Sequence, residues 1–173
     1  MQKILEKRTR QPIKNHEEFC GMFKKIFLNA GDFYWGSGDV KIHTVLGSCV
    51  SITVYHPKKK IGGICHYLLP DRDKNKIGND GRSADGVIEL FRTKIISSGL
   101  PIEEFEVKVF GGASFMPGSS DECQVGIKNV NKAVAFLKEK NIIPKIVKTG
   151  GKYSRVLYFD LSNGDVWLKE TEI

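Results

Sequence analysis

The segment Val50-Ser-Ile-Thr-Val-Tyr55 alternates along its length, and the chain then passes through His56-Pro57-Lys58-Lys59-Lys60 into an apolar run, Ile61 to Leu69, that stops at Pro70. Alternation with a period of two marks a half-buried strand, because successive side chains point to opposite faces. Two strands joined by so short a polar link form an antiparallel hairpin. Paired positions in such a hairpin have a constant sum, which a turn centred near Lys58 sets at about 115–117. The partner of Cys49 is then residue 66, 67 or 68. Opposite side chains lie ~4.5–5.5 Å apart at Cβ and diagonal ones ~7–8 Å, so the Cys49 thiol and the His66 imidazole are within mutual reach in each of these registers.

The remaining pattern predicts an α+β fold. It comprises a single domain whose mixed or antiparallel sheets form a β-sandwich-like core flanked by helices. Phe19, Met22, Phe23, Ile26 and Phe27 fall at helical spacing within residues 17–28, predicting a short amphipathic helix packed on the domain. Ala84, Val87, Ile88, Phe91 and Ile95 share one helical face, and Gly99 closes that helix. Phe105, Val107 and Val109 predict a strand ended by Gly111-Gly112, and Ile127, Val130, Val134 and Leu137 predict a second helix ending near Asn141. Residues 143–149 read as a strand, and Arg155–Asp160 and Asp165–Lys169 flank a turn with Asn163-Gly164 at its tip.

Charge divides the chain. The 173 residues carry a formal +7, and residues 1–25 hold seven basic against three acidic side chains. We therefore expect a basic N-terminal arm over residues 1–25 and a folded domain over 26–173. The excess suggests an acidic partner. Nucleic acid is not expected, because no recognition helix or aromatic-studded basic strand accompanies the charge. Apolar runs fall well short of the ~20 residues of a membrane span, and Met1 to Asn15 lacks the apolar centre of a secretory signal, so the expected location is the cytoplasm, with no membrane insertion. Cys20, Cys49, Cys65 and Cys123 show no CxxC spacing and are expected as free thiols. There is no P-loop, dinucleotide fingerprint, HExxH or EF-hand loop.

A cysteine beside a histidine is the usual means of activating sulfur near neutral pH. Gly47 and Ser48 precede Cys49 in a tight turn that would expose the sulfur and aim backbone N–H groups at an oxyanion. The bland reading is that a free cysteine is a small core residue and a histidine satisfies a local hydrogen bond. Cys65 is the rival nucleophile, but strand alternation turns it to the face opposite His66. The same alternation keeps Cys65 and His66 from chelating one metal ion, and no metal site is expected. A Cys49–Cys65 bridge fits the geometry but not the reducing compartment. His16 and His56 are expected to be solvated.

Asn29-Ala-Gly-Asp-Phe-Tyr34, Thr44-Val-Leu-Gly-Ser-Cys-Val50 and Ile61-Gly-Gly-Ile-Cys-His-Tyr-Leu-Leu-Pro70 resemble the chemoreceptor glutamine deamidase family, CheD. Ala84-Asp85, Phe110-Gly-Gly-Ala113, Ile127-Lys-Asn129 and Thr149-Gly-Gly-Lys-Tyr-Ser-Arg155 extend the resemblance in order from about Ile26 to Lys169. The resemblance implies an amide hydrolase that converts particular glutamines of methyl-accepting chemotaxis receptors to glutamate. Cys49 would be the nucleophile and His66 its base. The third position, a threonine before the LGSC block, falls to Thr44 or to His43, only one of which can face the site. The resemblance implies no metal or organic cofactor. It also implies a CheC-type phosphatase as a partner, so a regulatory binding module with secondary catalysis stands as the alternative.

Overall fold

The computed structural model describes residues 24–73, 80–114 and 124–173. Among these, nine strands and two α-helices form three layers. The first sheet has the order β1 (Lys24–Phe27), β3 (Val40–Leu46), β8 (Tyr153–Asp160), β9 (Asp165–Glu172). The second has the order β2 (Phe33–Ser37), β5 (Ile61–Cys65), β4 (Val50–His56), β6 (Glu106–Gly111), β7 (Ile146–Thr149). Both sheets are mixed, since β1 runs parallel to β3 and β7 parallel to β6 while the other pairs are antiparallel.

One core lies between the sheets. Ile42 and Leu46 of β3, with Leu157 and Phe159 of β8, meet Tyr55, Ile64 and Phe110 of the second sheet. A second core forms where the other face of that sheet meets α1 (Ala84–Ser98) and α2 (Val125–Glu139), around Ile52, Val54, Cys65, Val87, Phe91, Val107 and Leu137. The middle sheet is thus covered on both sides, and every residue of β4 is buried. This arrangement accounts for Lys108, which the alternation of β6 places on a polar face. That face looks into the sandwich, and the buried ammonium donates to the Gly164 carbonyl at 2.6 Å.

The hairpin, both helices and the β8–β9 hairpin occur where the sequence places them. The Ser83 hydroxyl accepts from the Gly86 N–H at the start of α1, and Gly99 ends it at φ 68°. Residues 24–27 depart from expectation. They form a strand, Lys24↔Val40 to Phe27↔His43, and not the end of a helix. Ile26 and Leu28 turn inward while Lys25 and Phe27 lie exposed, so a period of two prevails at this edge. The rest of that proposed helix lies outside the described residues, as do His16, Cys20 and Cys123. The run expected to be one strand to Leu69 pairs regularly only to Cys65. Beyond it, two isolated bridges, Val50↔Tyr67 and Leu69↔Ser83, continue the path. Two strands, β2 and β3, have no counterpart in the sequence reading. The described residues contain no helix long and apolar enough to cross a membrane.

Candidate active site

The β4–β5 register sums to 117, as in Thr53↔Ile64 and Val50↔Tyr67. Carried one step outward, this sets Cys49 opposite residue 68 and diagonal to His66, on the same face. The ladder is interrupted at Ile52 and Cys65, where the Ile52 N–H meets Cys65 Sγ at 3.3 Å. His66 then bonds to the turn after β1: its N–H donates to the Asp32 carbonyl at 3.0 Å, and its carbonyl accepts from Gly31 N–H at 2.7 Å. This break holds the imidazole at the end of the inter-sheet core, beside β3.

There the imidazole Nδ1 lies 2.7 Å from Thr44 Oγ1, which itself donates to the Leu28 carbonyl at 2.7 Å. A hydroxyl has one proton, and a carbonyl can only accept. Thr44 has spent its proton on Leu28, so it must accept from His66, and Nδ1 carries the ring proton of the neutral imidazole. Nε2 is left with a lone pair. It is buried and has no hydrogen-bond partner among the described residues. His66 is 5% exposed, and burial lowers its pKa below the ordinary histidine value, with the Leu28 carbonyl and then Asp32 opposing. Of the two sequence candidates for the third position, only Thr44 contacts the imidazole. His43 faces the other side of the first sheet, edge-on to Phe27 at 5.0 Å and stacked on Tyr158 at 5.6 Å.

Cys49 is partly buried and unbridged, against the inter-sheet core. Burial raises its thiol pKa, and its own backbone N–H pulls the other way. Burial thus favours the neutral form of both the Cys49 thiol and the His66 imidazole.

The loop that carries the sulfur is held by its carbonyls. Gly47 O accepts from Ala113 N–H at 2.8 Å, Cys49 O from Gly112 N–H at 2.7 Å, and Ser48 O from Asn129 Nδ2 at 3.1 Å. The peptides are trans, so each carbonyl drawn toward this support turns the following N–H away from it. The Ser48 and Cys49 amides therefore face outward, as an oxyanion site needs. Gly111 and Gly112 make the close approach possible. Both have positive φ, 107° and 64°, and a Cβ on Gly111 would sit 2.2 Å from the Cys49 carbonyl. Gly47 has no such requirement: among the described residues, a Cβ there would meet nothing within 4 Å, so these residues leave space beside the loop.

The rival nucleophile lies elsewhere. Cys65 is fully buried in the helix-facing core, its thiol pushed up to about 12 by burial. His56, expected in solvent, is 1% exposed, since the turn folds its ring against Phe105 and beside Glu104 at 3.1 Å. Among the described residues, no group of three His, Cys, Asp or Glu could hold a metal ion.

Sequence reasoning missed the supports: the Leu28 carbonyl, the Gly112 and Ala113 amides, and Asn129. It also missed Arg155, which is buried and donates to the Gly111 and Gly150 carbonyls while pairing with Glu170. For Gly112, Ala113, Asn129 and Arg155 the signal was present only as short motifs, Phe110-Gly-Gly-Ala113, Ile127-Lys-Asn129 and Thr149-Gly-Gly-Lys-Tyr-Ser-Arg155, with no role attached, and Leu28 lies in none of them.

Residues 68–170 match the family model described as CheD chemotactic sensory transduction. The match begins two residues after His66. Similar curated proteins include a probable chemoreceptor glutamine deamidase CheD 3 from Dechloromonas aromatica, 39% identical over 146 residues, covering 83% of this chain and 86% of that protein. Another, CheD 1 from Chromobacterium violaceum, is 35% identical over 150 residues, 85% of this chain and 78% of that protein. A third, from Maridesulfovibrio salexigens, is 36% identical over 158 residues, 86% and 93% of the two chains.

Proposed function

The chain belongs to the CheD family, and from that premise we propose that it is a chemoreceptor glutamine deamidase in which Cys49 is the nucleophile, His66 the base and Thr44 the residue that orients the base. The observation that carries this reading is the state of His66: Nδ1–H fixed on Thr44, Nε2 buried with no partner among the described residues, and the ring on the face that Cys49 shares.

The reaction begins with a receptor glutamine side chain in the open space beside Gly47. His66 Nε2 takes the Cys49 proton as sulfur adds to the carboxamide carbon. The carbonyl oxygen becomes an oxyanion against the Ser48 and Cys49 amides. The imidazolium returns its proton to the amide nitrogen, the C–N bond breaks, and ammonia leaves a thioester. Water then gives a proton to Nε2 and adds to the thioester carbon. The C–S bond breaks, the thiolate recovers the proton from His66, and glutamate is released. Thr44 accepts from Nδ1–H throughout and disperses the imidazolium charge.

The substrate on this reading is a receptor's cytoplasmic domain, which places the enzyme in the cytoplasm. A CheC-type phosphatase as partner is a separate proposal. Cys49→Ala removes the chemistry and leaves the surface, so it separates catalysis from binding. The decisive experiment is peptide mass spectrometry of a receptor cytoplasmic domain incubated with the protein. The amide-to-acid mass increase is expected at specific glutamines and should vanish with Cys49→Ala. Full conversion by that variant overturns the reading.

A further inference from the structure

The side chain of Asn129 lies under both segments that carry the proposed chemistry. It is fully buried in the first turns of α2. Its Nδ2 group uses both protons, one on the Ser48 carbonyl at 3.1 Å and one on the Leu68 carbonyl at 2.8 Å. Ser48 immediately precedes Cys49, and Leu68 lies two residues beyond His66. One amide therefore ties the nucleophile's loop to the base's strand. The surroundings fix it firmly. Tyr67 Oη donates to the Asn129 backbone carbonyl at 2.7 Å, and Tyr67 is itself bridged to Val50. Gly126, one turn earlier, lies so close that a Cβ would sit 2.2 Å from the Ala113 carbonyl. Oδ1 has no partner among the described residues, and a flipped amide would turn that oxygen against two carbonyls.

The geometry points to Asn129 as a positioning residue for the oxyanion site. Ser48 C=O and Cys49 N–H belong to one trans peptide plane and point in opposite directions. By holding the carbonyl inward, Asn129 aims the Cys49 amide outward at the developing oxyanion. The other two loop carbonyls are held by backbone N–H groups of Gly112 and Ala113, which no substitution other than proline removes. The Ser48–Cys49 peptide is the one whose direction depends on a side chain. The inference rests on the Cys49–His66 reading and adds to it a separable part: the pair generates the thiolate, while Asn129 readies the hole.

The test exploits a reaction that uses the thiolate but not the hole. Chloroacetamide alkylates sulfur by displacement at saturated carbon, with loss of chloride and no oxyanion. In the full chain carrying Asn129→Ala, ammonia release from a receptor cytoplasmic domain should fall on the order of 10²-fold in kcat, the scale of losing one oxyanion donor, with KM unchanged. Alkylation, read by mass spectrometry at the Cys49 peptide, should keep its rate and its pH profile. Leu137→Ala, in the core farther along the same helix, controls for general loosening and should lower Tm while leaving kcat intact. Asn129→Leu, closer in volume, repeats the test should the alanine variant misfold. Alkylation and deamidation falling together would overturn the inference, as would full kcat in either variant. A chain that folds with neither substitution would assign Asn129 to the fold alone. Retained deamidation by Cys49→Ala would instead remove the underlying reading, whatever Asn129 does.

Discussion

The β4–β5 hairpin buries a histidine at each end, and the two have opposite fates. At the turn, His56 Nδ1 accepts from the Lys59 N–H at 3.2 Å and Nε2 lies 3.1 Å from a Glu104 oxygen. Both nitrogens are used, so the ring closes the turn and has nothing left to exchange. At the open end, His66 has one nitrogen used and one without a partner among the described residues. Burial makes an unpartnered acceptor costly, by about 1–3 kcal/mol, and a fold retains such a cost where a reaction needs it. The cysteines repeat the contrast. Cys65 points into the helix-facing core and accepts a backbone N–H, while Cys49 stands at the sandwich end on a loop held from below.

The sharpest break would come from the sulfurs. Cys49→Ala should lower deamidation by more than about 10³-fold, because only binding and oxyanion stabilisation remain. Cys65→Ala should retain kcat and lower stability by about 1 kcal/mol, the cost of a small vacated volume in a packed core. Ammonia release and thermal melts on the two variants check this, and the reverse ranking would exchange their roles.

The histidines come next. His66→Ala should cost about 10²–10⁴-fold in kcat, the range of general acid–base catalysis. His56→Ala should leave the kcat of folded protein unchanged and destabilise it by about 1–3 kcal/mol through the orphaned Lys59 amide and lost packing on Phe105. Urea titration with activity measured on the same samples separates the two.

The partners of the two rings extend the comparison at smaller scale. Thr44→Val keeps the shape of the side chain but removes the acceptor for Nδ1–H, so the ring loses its preferred tautomer. We expect kcat to fall about ten- to a hundredfold, a fraction of what the base supplies. Thr44→Ser should recover most of it. At the other end Glu104 is 43% exposed, and Glu104→Gln should cost less than about 1 kcal/mol and no activity. Steady-state kinetics and thermal melts of the three variants would test this ordering.

Much of this contrast was legible in the sequence because hairpin register is arithmetic: a turn near Lys58 suffices to set Cys49 and His66 on one face at the open end of the hairpin. Alternation likewise separated Cys65 from His66. What sequence could not supply was depth. His56 follows a strand and precedes Pro57 and three lysines, which reads as solvent, yet Phe105 from a distant segment covers it. The choice between Thr44 and His43 depends on which face of β3 meets the second sheet, and β3 itself was not recognised. Ile26 and Phe27 continue the helical spacing of the residues before them, whereas Ile26 and Leu28 fit a strand period, and pairing with β3 decides between the two. Asn129 was visible only as a letter in a motif, since its two acceptors lie 81 and 61 residues away.

The smallest effect concerns pH, and it distinguishes the ends without mutation. Burial lowers the His66 pKa from its ordinary 6.5, so the ring remains an unprotonated base to lower pH than a solvated histidine would. The acid limb of kcat/KM should therefore fall below 6.5, and activity should persist through mildly acidic conditions where an exposed imidazole would already be charged. Stability follows the same group. The unfolded chain protonates His66 near 6.5 and the folded chain only at lower pH, so unfolding takes up a proton between the two values. The contribution is complete above 6.5 and is lost as pH falls through the folded value. A pH–rate profile paired with melts of the parent and of His66→Gln reads both effects, and the variant should abolish this part of the stability change. An acid limb at or above 6.5 would mean that the free Nε2 is not buried in solution, and the distinction between the two ends of the hairpin would narrow accordingly.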